Sequence, residues 1–196
     1  MINRHNVLLS LSAGRRDQLM CDALPQIAFS GRSNVGKSSL LNRLLNRRKL
    51  ARVSSEPGKT VTVNYFQVDK KLYLVDLPGY GYARRSETEK KKWSSLTDAY
   101  FQNNPALATV LQLIDLKTGP SADDRMMLSF LKETGTPFVI VATKTDKLNK
   151  TNREKNLALL QEEAGDVPVF PVSSQSGEGV EKLWSLIETV LGEKNA

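Results

Sequence analysis

The chain has 196 residues, 40% hydrophobic and 25% charged, enough for one domain with a sizeable core and ordinary for a soluble globular protein. Lys and Arg total 28 against 21 for Asp and Glu, and the resulting charge of +7 points toward a polyanionic partner. A single cysteine, Cys21, excludes an intrachain disulfide and fits a reducing, cytoplasmic setting; a single histidine, His5, excludes triads and imidazole metal sites; and no apolar run approaches the ~18 residues of a membrane span.

The N-terminal stretch carries a short apolar patch, Val7 to Leu11, followed by Arg15, Arg16 and Asp17, a poor signal peptide and a better pairing strand or packing segment. "QIAFS" reads as a buried strand, and "KSSLLNRLLN" as a helix, with leucines at 40, 41, 44 and 45. "VTVNYFQV" and "KLYLVD" read as a hairpin turning at Asp69 and Lys70. "SETEKKKWSSLTDAYF" is a helix opened by a capping pair, Ser86 and Glu89. "ATVLQLID" and "PFVIVAT" are strands flanking the helix "SADDRMMLSFLKE". "NREKNLALLQEEA" is expected to be an amphipathic helix. "VPVFPVS" is a strand that Pro168 and Pro171 confine to an edge, and a last helix puts Val180, Leu183, Trp184 and Ile187 on one face. Alternating β and α units with doubly apolar strands predict an α/β fold: a mostly parallel six-stranded sheet, one antiparallel edge strand from the hairpin, and helices on both faces. Residues 24–196 are expected to form the single nucleotide-binding domain, with 1–23 as an extension packed on it. Ligands of such sheets bind beyond the carboxyl ends of the strands.

The loops at those ends carry the chemistry. Gly31, Gly36, Lys37 and Ser38 match G-x-x-x-x-G-K-[ST] between a strand and a helix, with Arg32, Ser33, Asn34 and Val35 inside the loop. Glycines let the backbone wrap a phosphate so that N–H groups and a helix N-terminus face the anion. Lys37 adds charge at the outer phosphates, and Ser38 offers a hydroxyl to Mg²⁺. In "DLPG", Asp76 ends a buried strand and supports Mg²⁺ through water, while Gly79, beyond Leu77 and Pro78, can present its N–H to a γ-phosphate. Between these motifs, "PGKTVT" supplies Gly58, Lys59, Thr60, Val61 and Thr62; Thr60 is the expected second Mg²⁺ hydroxyl and Thr62 its competitor. "TKTD", Thr143 to Asp146, resembles N-K-x-D with Thr for Asn. Its carboxylate accepts two N–H bonds from guanine, which adenine cannot supply, and the Lys144 stem can lie over the base. Val172, Ser173 and Ser174 follow the next strand, where a backbone N–H meets guanine O6; Thr145 completes the set.

These pieces, in this order, are those of a Ras-like GTPase. "GRSNVGKSSLLN", "PGKT", "DLPGYGYA" and "TKTD" closely resemble the EngB (YihA/YsxC) family within the Era-type group, over nearly the whole chain. The resemblance implies a cytoplasmic, monomeric protein that binds GTP and GDP with Mg²⁺ and hydrolyses GTP, using Lys37, Thr60 and Gly79 in catalysis. It implies a switch in assembly of the large ribosomal subunit, on rRNA and ribosomal proteins, with a link to cell division and septation. Tyr80 stands where Ras-type switches carry a water-orienting glutamine, so unassisted hydrolysis should be slow. Asn34 occupies the place where some Era-type proteins hold K⁺, making K⁺ a candidate stimulating ion. Tyr80, Tyr82, Arg84 and Arg85 are an alternative reading of the same loop as a docking surface. The basic clusters, Arg47 to Arg52, Arg84–Arg85, Lys90–Lys92 and Lys144 to Lys155, are compatible with rRNA. Two other classes compete: a P-loop kinase, which would not need Asp146, and a module that holds GTP without turnover.

Overall fold

The computed structural model describes residues 2–20, 22–47, 50–51, 61–81, 86–102 and 104–194. Seven strands form one sheet: β1 (Val7–Ala13), β2 (Gln26–Gly31), β3 (Val63–Val68), β4 (Leu72–Asp76), β5 (Leu107–Asp115), β6 (Phe138–Thr143) and β7 (Val169–Pro171), in the order β1-β3-β4-β2-β5-β6-β7. From β4 across to β7 every pairing is parallel, and β3 is antiparallel to both β1 and β4. The sheet is therefore mostly parallel, as expected, but it has seven strands rather than six. Val7–Ala13 pairs with β3 and becomes the edge, which moves the antiparallel strand one place inward. The turn at Asp69 and Lys70 takes φ of 51° and 55°, the left-handed pair that matches a two-residue hairpin to strand twist.

The helices are α1 (Lys37–Leu44), α2 (Glu87–Phe101), α3 (Ala122–Glu133), α4 (Lys150–Ala164) and α5 (Val180–Lys194). Strand alternation sorts the core into two layers. Ile27, Phe29, Leu111 and Leu113 meet α1 and α5 through Leu40, Leu44, Leu183 and Ile187. On the opposite face, Ala28, Tyr65, Val75 and Val110 meet α2 and α3 through Leu96, Tyr100, Met127 and Leu131. Ser86 caps α2 as its sequence predicts: its side chain accepts from Glu89 N at 3.2 Å, and Glu89 accepts from Ser86 N at 2.8 Å. Helix α4 departs from the amphipathic expectation. It buries only Leu160 and Ala164, and Leu159 stays half exposed, because α4 packs over the short outer end of the sheet.

Parallel connections bring the carboxyl ends of β2, β4, β5, β6 and β7 to one edge of the sheet. The reversed direction of β3 brings its N-terminal end there too: Asn64 lies opposite Asp76. The segment preceding β3 thus arrives beside the same loops.

Candidate functional site

The phosphate loop leaves the wholly buried β2 at Gly31 and enters α1 at Gly36, the N-cap residue. A Cβ on Gly31 would sit 2.9 Å from Val35 Cγ1 and 3.0 Å from the Leu113 carbonyl, so the loop folds over a position with no room for a side chain. Asn34 and Gly36 adopt φ of 63° and 105°, the left-handed values that curl the backbone into an anion-binding concavity. Arg32, Ser33, Lys37 and Ser38 are half-buried around it, Asn34 is exposed, and Val35 is buried as the loop's anchor.

Asp76 ends β4 beside this loop, and Lys37 Nζ is hydrogen-bonded to its Oδ1. The carboxylate and ammonium are both largely buried, so each neutralises the other within the cradle. Leu77 is buried and donates its N–H to Phe29 O at 3.1 Å, and Pro78 offers its carbonyl to Trp93 Nε1 at 2.8 Å. Gly79 lies directly on the phosphate loop: a Cβ there would come within 3.2–3.3 Å of Ser33 backbone and side-chain atoms. Ser33 N donates to Tyr80 O at 2.9 Å.

The end of β6 reaches the same loop from the other side. Thr143 Oγ1 donates to Val35 O at 2.7 Å, across a separation of 108 residues. Lys144, at φ 60°, folds back so that Nζ donates to Asn34 O at 2.8 Å and to Asp115 Oδ2 at 2.7 Å. Thr145 is buried and donates its N–H to Val172 O at 3.4 Å. Ser173, wholly buried after β7, donates Oγ to Asp146 Oδ1 at 2.6 Å, while Ser174 is half-buried next to it. That hydroxyl, followed by Lys147, holds the Asp146 carboxyl below its ordinary range, so it is ionised at neutral pH. Lys147 Nζ lies 3.4 Å from the other oxygen, Oδ2, and a carboxylate so placed beside the Lys144 stem is a planar double acceptor.

Gly58, Lys59 and Thr60 lie outside the described residues. Of their neighbours, Val61 is a buried member of the core, and Thr62 turns its hydroxyl to Asn64 Oδ1 at 3.3 Å. Tyr80 corrects one expectation. Its ring is buried at 6% exposure and its hydroxyl donates to Asp124 Oδ1 at 2.6 Å, so it forms no part of a docking surface; Tyr82, Arg84 and Arg85 lie outside the described residues. Sequence reading missed Asp115. This carboxylate at the end of β5 ties Lys144 and, at 3.7 Å, Arg32 to one point. A carboxylate closing the apolar run "LATVLQLID" on the ligand-binding edge was the available signal.

Among known proteins, the family described as 50S ribosome-binding GTPase matches residues 26–144. The "Probable GTP-binding protein EngB" of Alkaliphilus metalliredigens is 44% identical over 186 residues, 93% of this chain and 89% of that protein. Its counterpart in Bacillus cytotoxicus is 45% identical over 190 residues, 95% of this chain and 96% of the relative. A crystal structure of a probable GTP-binding protein EngB superposes with a TM-score of 0.70 at 25% identity, covering 86% of this chain and 99% of that one. By identity, by coverage and by fold, the chain belongs to the EngB family of GTP-binding proteins and is a GTPase.

Proposed function

We propose that this GTPase is a slow molecular switch that acts in assembly of the large ribosomal subunit, with a link to cell division and septation. The observation that supports the switch reading is the direct packing of Gly79, the residue read as a γ-phosphate sensor, on Ser33 of the phosphate loop. The partner reading is supported by the matched family's description, 50S ribosome-binding GTPase, and by the chain's excess positive charge.

In this reading residues 24–196 act as one nucleotide-binding domain, in a cytoplasmic monomer carrying the 1–23 extension. The N–H groups from Ser33 to Ser38 receive the phosphates, and Lys37 exchanges Asp76 for the outer phosphate oxygens. The donor set suits Mg²⁺: a hydroxyl at Ser38 and a carboxylate at Asp76 are hard oxygen ligands. Mg²⁺ would neutralise charge developing on the bridging oxygens; Thr60 would add a second hydroxyl in the triphosphate state. Gly58, Lys59, Val61 and Thr62 would line the same segment. Asp146 takes the two guanine donors, the Ser173–Ser174 backbone faces O6, and Lys144 covers the base.

The slow rate follows from Tyr80. With its phenol bonded inside the core, it cannot orient a water at the γ-phosphate, so the chain relies on Gly79 N–H, Lys37, Thr60 and a partner or a K⁺ ion near Asn34. Co-sedimentation with large ribosomal subunits, with GDP or a non-hydrolysable GTP analogue at two salt concentrations, tests the function. Tighter, salt-sensitive binding in the triphosphate state is expected. Binding that ignores both nucleotide and salt would refute it.

A further inference from the structure

Tyr80 touches the phosphate loop with its backbone and the far helix layer with its side chain. Its carbonyl holds Ser33 N–H, while its hydroxyl donates to Asp124 Oδ1 and accepts from Gln112 Nε2 at 2.6 Å each. Gln112, on β5, and Asp124, on α3, are both wholly buried. Asp124 also serves its own helix. Its Oδ2 accepts from Ser121 N and Ser121 Oγ, both at 2.8 Å, which closes the capping box that starts α3. Trp93 from α2 packs edge-on to the Tyr80 ring at 6.2 Å and fixes Pro78 through its indole N–H. Burial and the neighbouring Asp124 carboxylate raise the phenol's pKa, so it stays a donor at any physiological pH.

In the arrangement described, groups that the proposed function assigns to the phosphates and Mg²⁺ are engaged within the protein. Lys37 is bonded to Asp76, and Ser33 N–H to Tyr80 O. Any shift of Gly79 toward a γ-phosphate is coupled through the chain to Tyr80, whose side chain is held in place by two buried hydrogen bonds. We propose that Tyr80 is a positioning residue whose phenol, gripped by Asp124 and Gln112, latches the Asp76–Gly79 loop in this arrangement and so biases the protein toward the diphosphate. The capped start of α3 senses release of the latch through Asp124. This inference rests on the reading of Gly79 as a γ-phosphate sensor.

The test is fluorescent GDP and a fluorescent non-hydrolysable GTP analogue titrated, with Mg²⁺, against the full chain and the variants Tyr80→Phe, Gln112→Met and the two combined. A buried hydrogen bond is worth about 0.5–1.5 kcal/mol net, so Tyr80→Phe should shift the GDP-to-analogue affinity ratio about fivefold toward the analogue. Gln112→Met should shift it in the same direction by less, and the double variant should add nothing to Tyr80→Phe, since Gln112 acts through the phenol. A merely structural role would lower stability without moving the ratio. An unmoved ratio, a shift toward GDP, or strictly additive effects would overturn the latch. Amide exchange on the unaltered chain gives a readout independent of variant folding. The Asp124 and Arg125 N–H groups, which donate to Ser121 Oγ and Ser121 O, should exchange faster with the GTP analogue than with GDP. Equal protection in both states would also overturn it. If the unaltered chain does not distinguish the two nucleotides at all, the switch reading falls and this inference with it. If it does and the variants leave the ratio alone, only the latch falls.

Discussion

Replacing Asp146 by Asn tests the base-recognition half of the site with little structural cost. The side chain is partly exposed in the turn that follows β6, and Ser173 Oγ can donate to an amide oxygen as it does to the carboxylate oxygen at 2.6 Å. What changes is the outward face. The carboxylate offers two acceptors to guanine N1–H and its exocyclic N–H; the amide offers one acceptor and sets its own N–H against a donor. A charge-assisted hydrogen bond is worth about 1.5–3 kcal/mol and a neutral one about 0.5–1.5, so losing one and weakening the other costs about 3–4 kcal/mol. At about 1.4 kcal/mol per tenfold, GDP affinity should fall by about 10²- to 10³-fold. Xanthine presents an acceptor where guanine has its exocyclic amine, so XDP should gain over the unaltered chain. Competition titrations of GDP, XDP and ADP against both proteins, with the fold monitored by circular dichroism, give the result. GDP affinity unchanged within about threefold in a folded variant would refute the assignment of Asp146.

Gly79→Ala should leave GDP binding nearly intact and weaken the GTP analogue, because the new Cβ would press within 3.2–3.3 Å of Ser33; the same titrations read it, and equal loss for both nucleotides would remove Gly79 as a sensor. Thr60→Ala should spare GDP and weaken the Mg²⁺-dependent triphosphate complex, whereas Thr62→Ala, whose hydroxyl is turned to Asn64, should leave both complexes intact; phosphate release with and without EDTA distinguishes them. Guanine affinity should stay flat from about pH 7.5 to 5.5: the Asp146 carboxyl is held below the ordinary carboxylate range, so the charged acceptor is present throughout that window and is lost only as pH falls through the lowered value. Leu111→Ala, at a wholly buried position on β5, should destabilise the fold by ~2–5 kcal/mol in urea denaturation.

The parts of the site that were legible in the sequence are those whose chemistry demands a contiguous stretch. A phosphate cradle needs successive N–H groups, so Gly31 to Ser38 is local in sequence and in space; Asp76 closes an apolar strand, and Asp146 follows one within three residues. What joins these stretches was not legible. Thr143 on Val35 O and Lys144 on Asn34 O are contacts over 108 and 110 residues, set by the strand order, and no local pattern encodes them. Tyr80 shows the same limit. Its residue type suggested a surface tyrosine beside two arginines, but Gln112 and Asp124 supply the polar partners that let the ring go inward. The seventh strand was half legible: Val7 to Leu11 is apolar enough to pair, but its partner is fixed only by β3 presenting a free side. Helix α4 misled because its leucines have helical spacing but little sheet beneath them.

The position of β1 has a consequence for how this chain can meet another. In sheets of this kind an outer strand with free N–H and C=O groups is a template on which a partner's strand can build. Here that ladder is spent within the chain along β3, up to Ala13 opposite Val63, the first residue of the strand that leads away from the site. Among the described residues, the side left open belongs to β1 itself, where the register shifts between Leu9 and Leu11; Leu8 and Leu9 there remain 50% and 47% exposed. The opposite margin is three residues long and ends in a proline, which has no N–H to give. Both margins are poor templates, one bent and the other short. If the chain meets a large partner as proposed, strand addition at either margin is disfavoured, and side chains on loops and helices are left to make the contact.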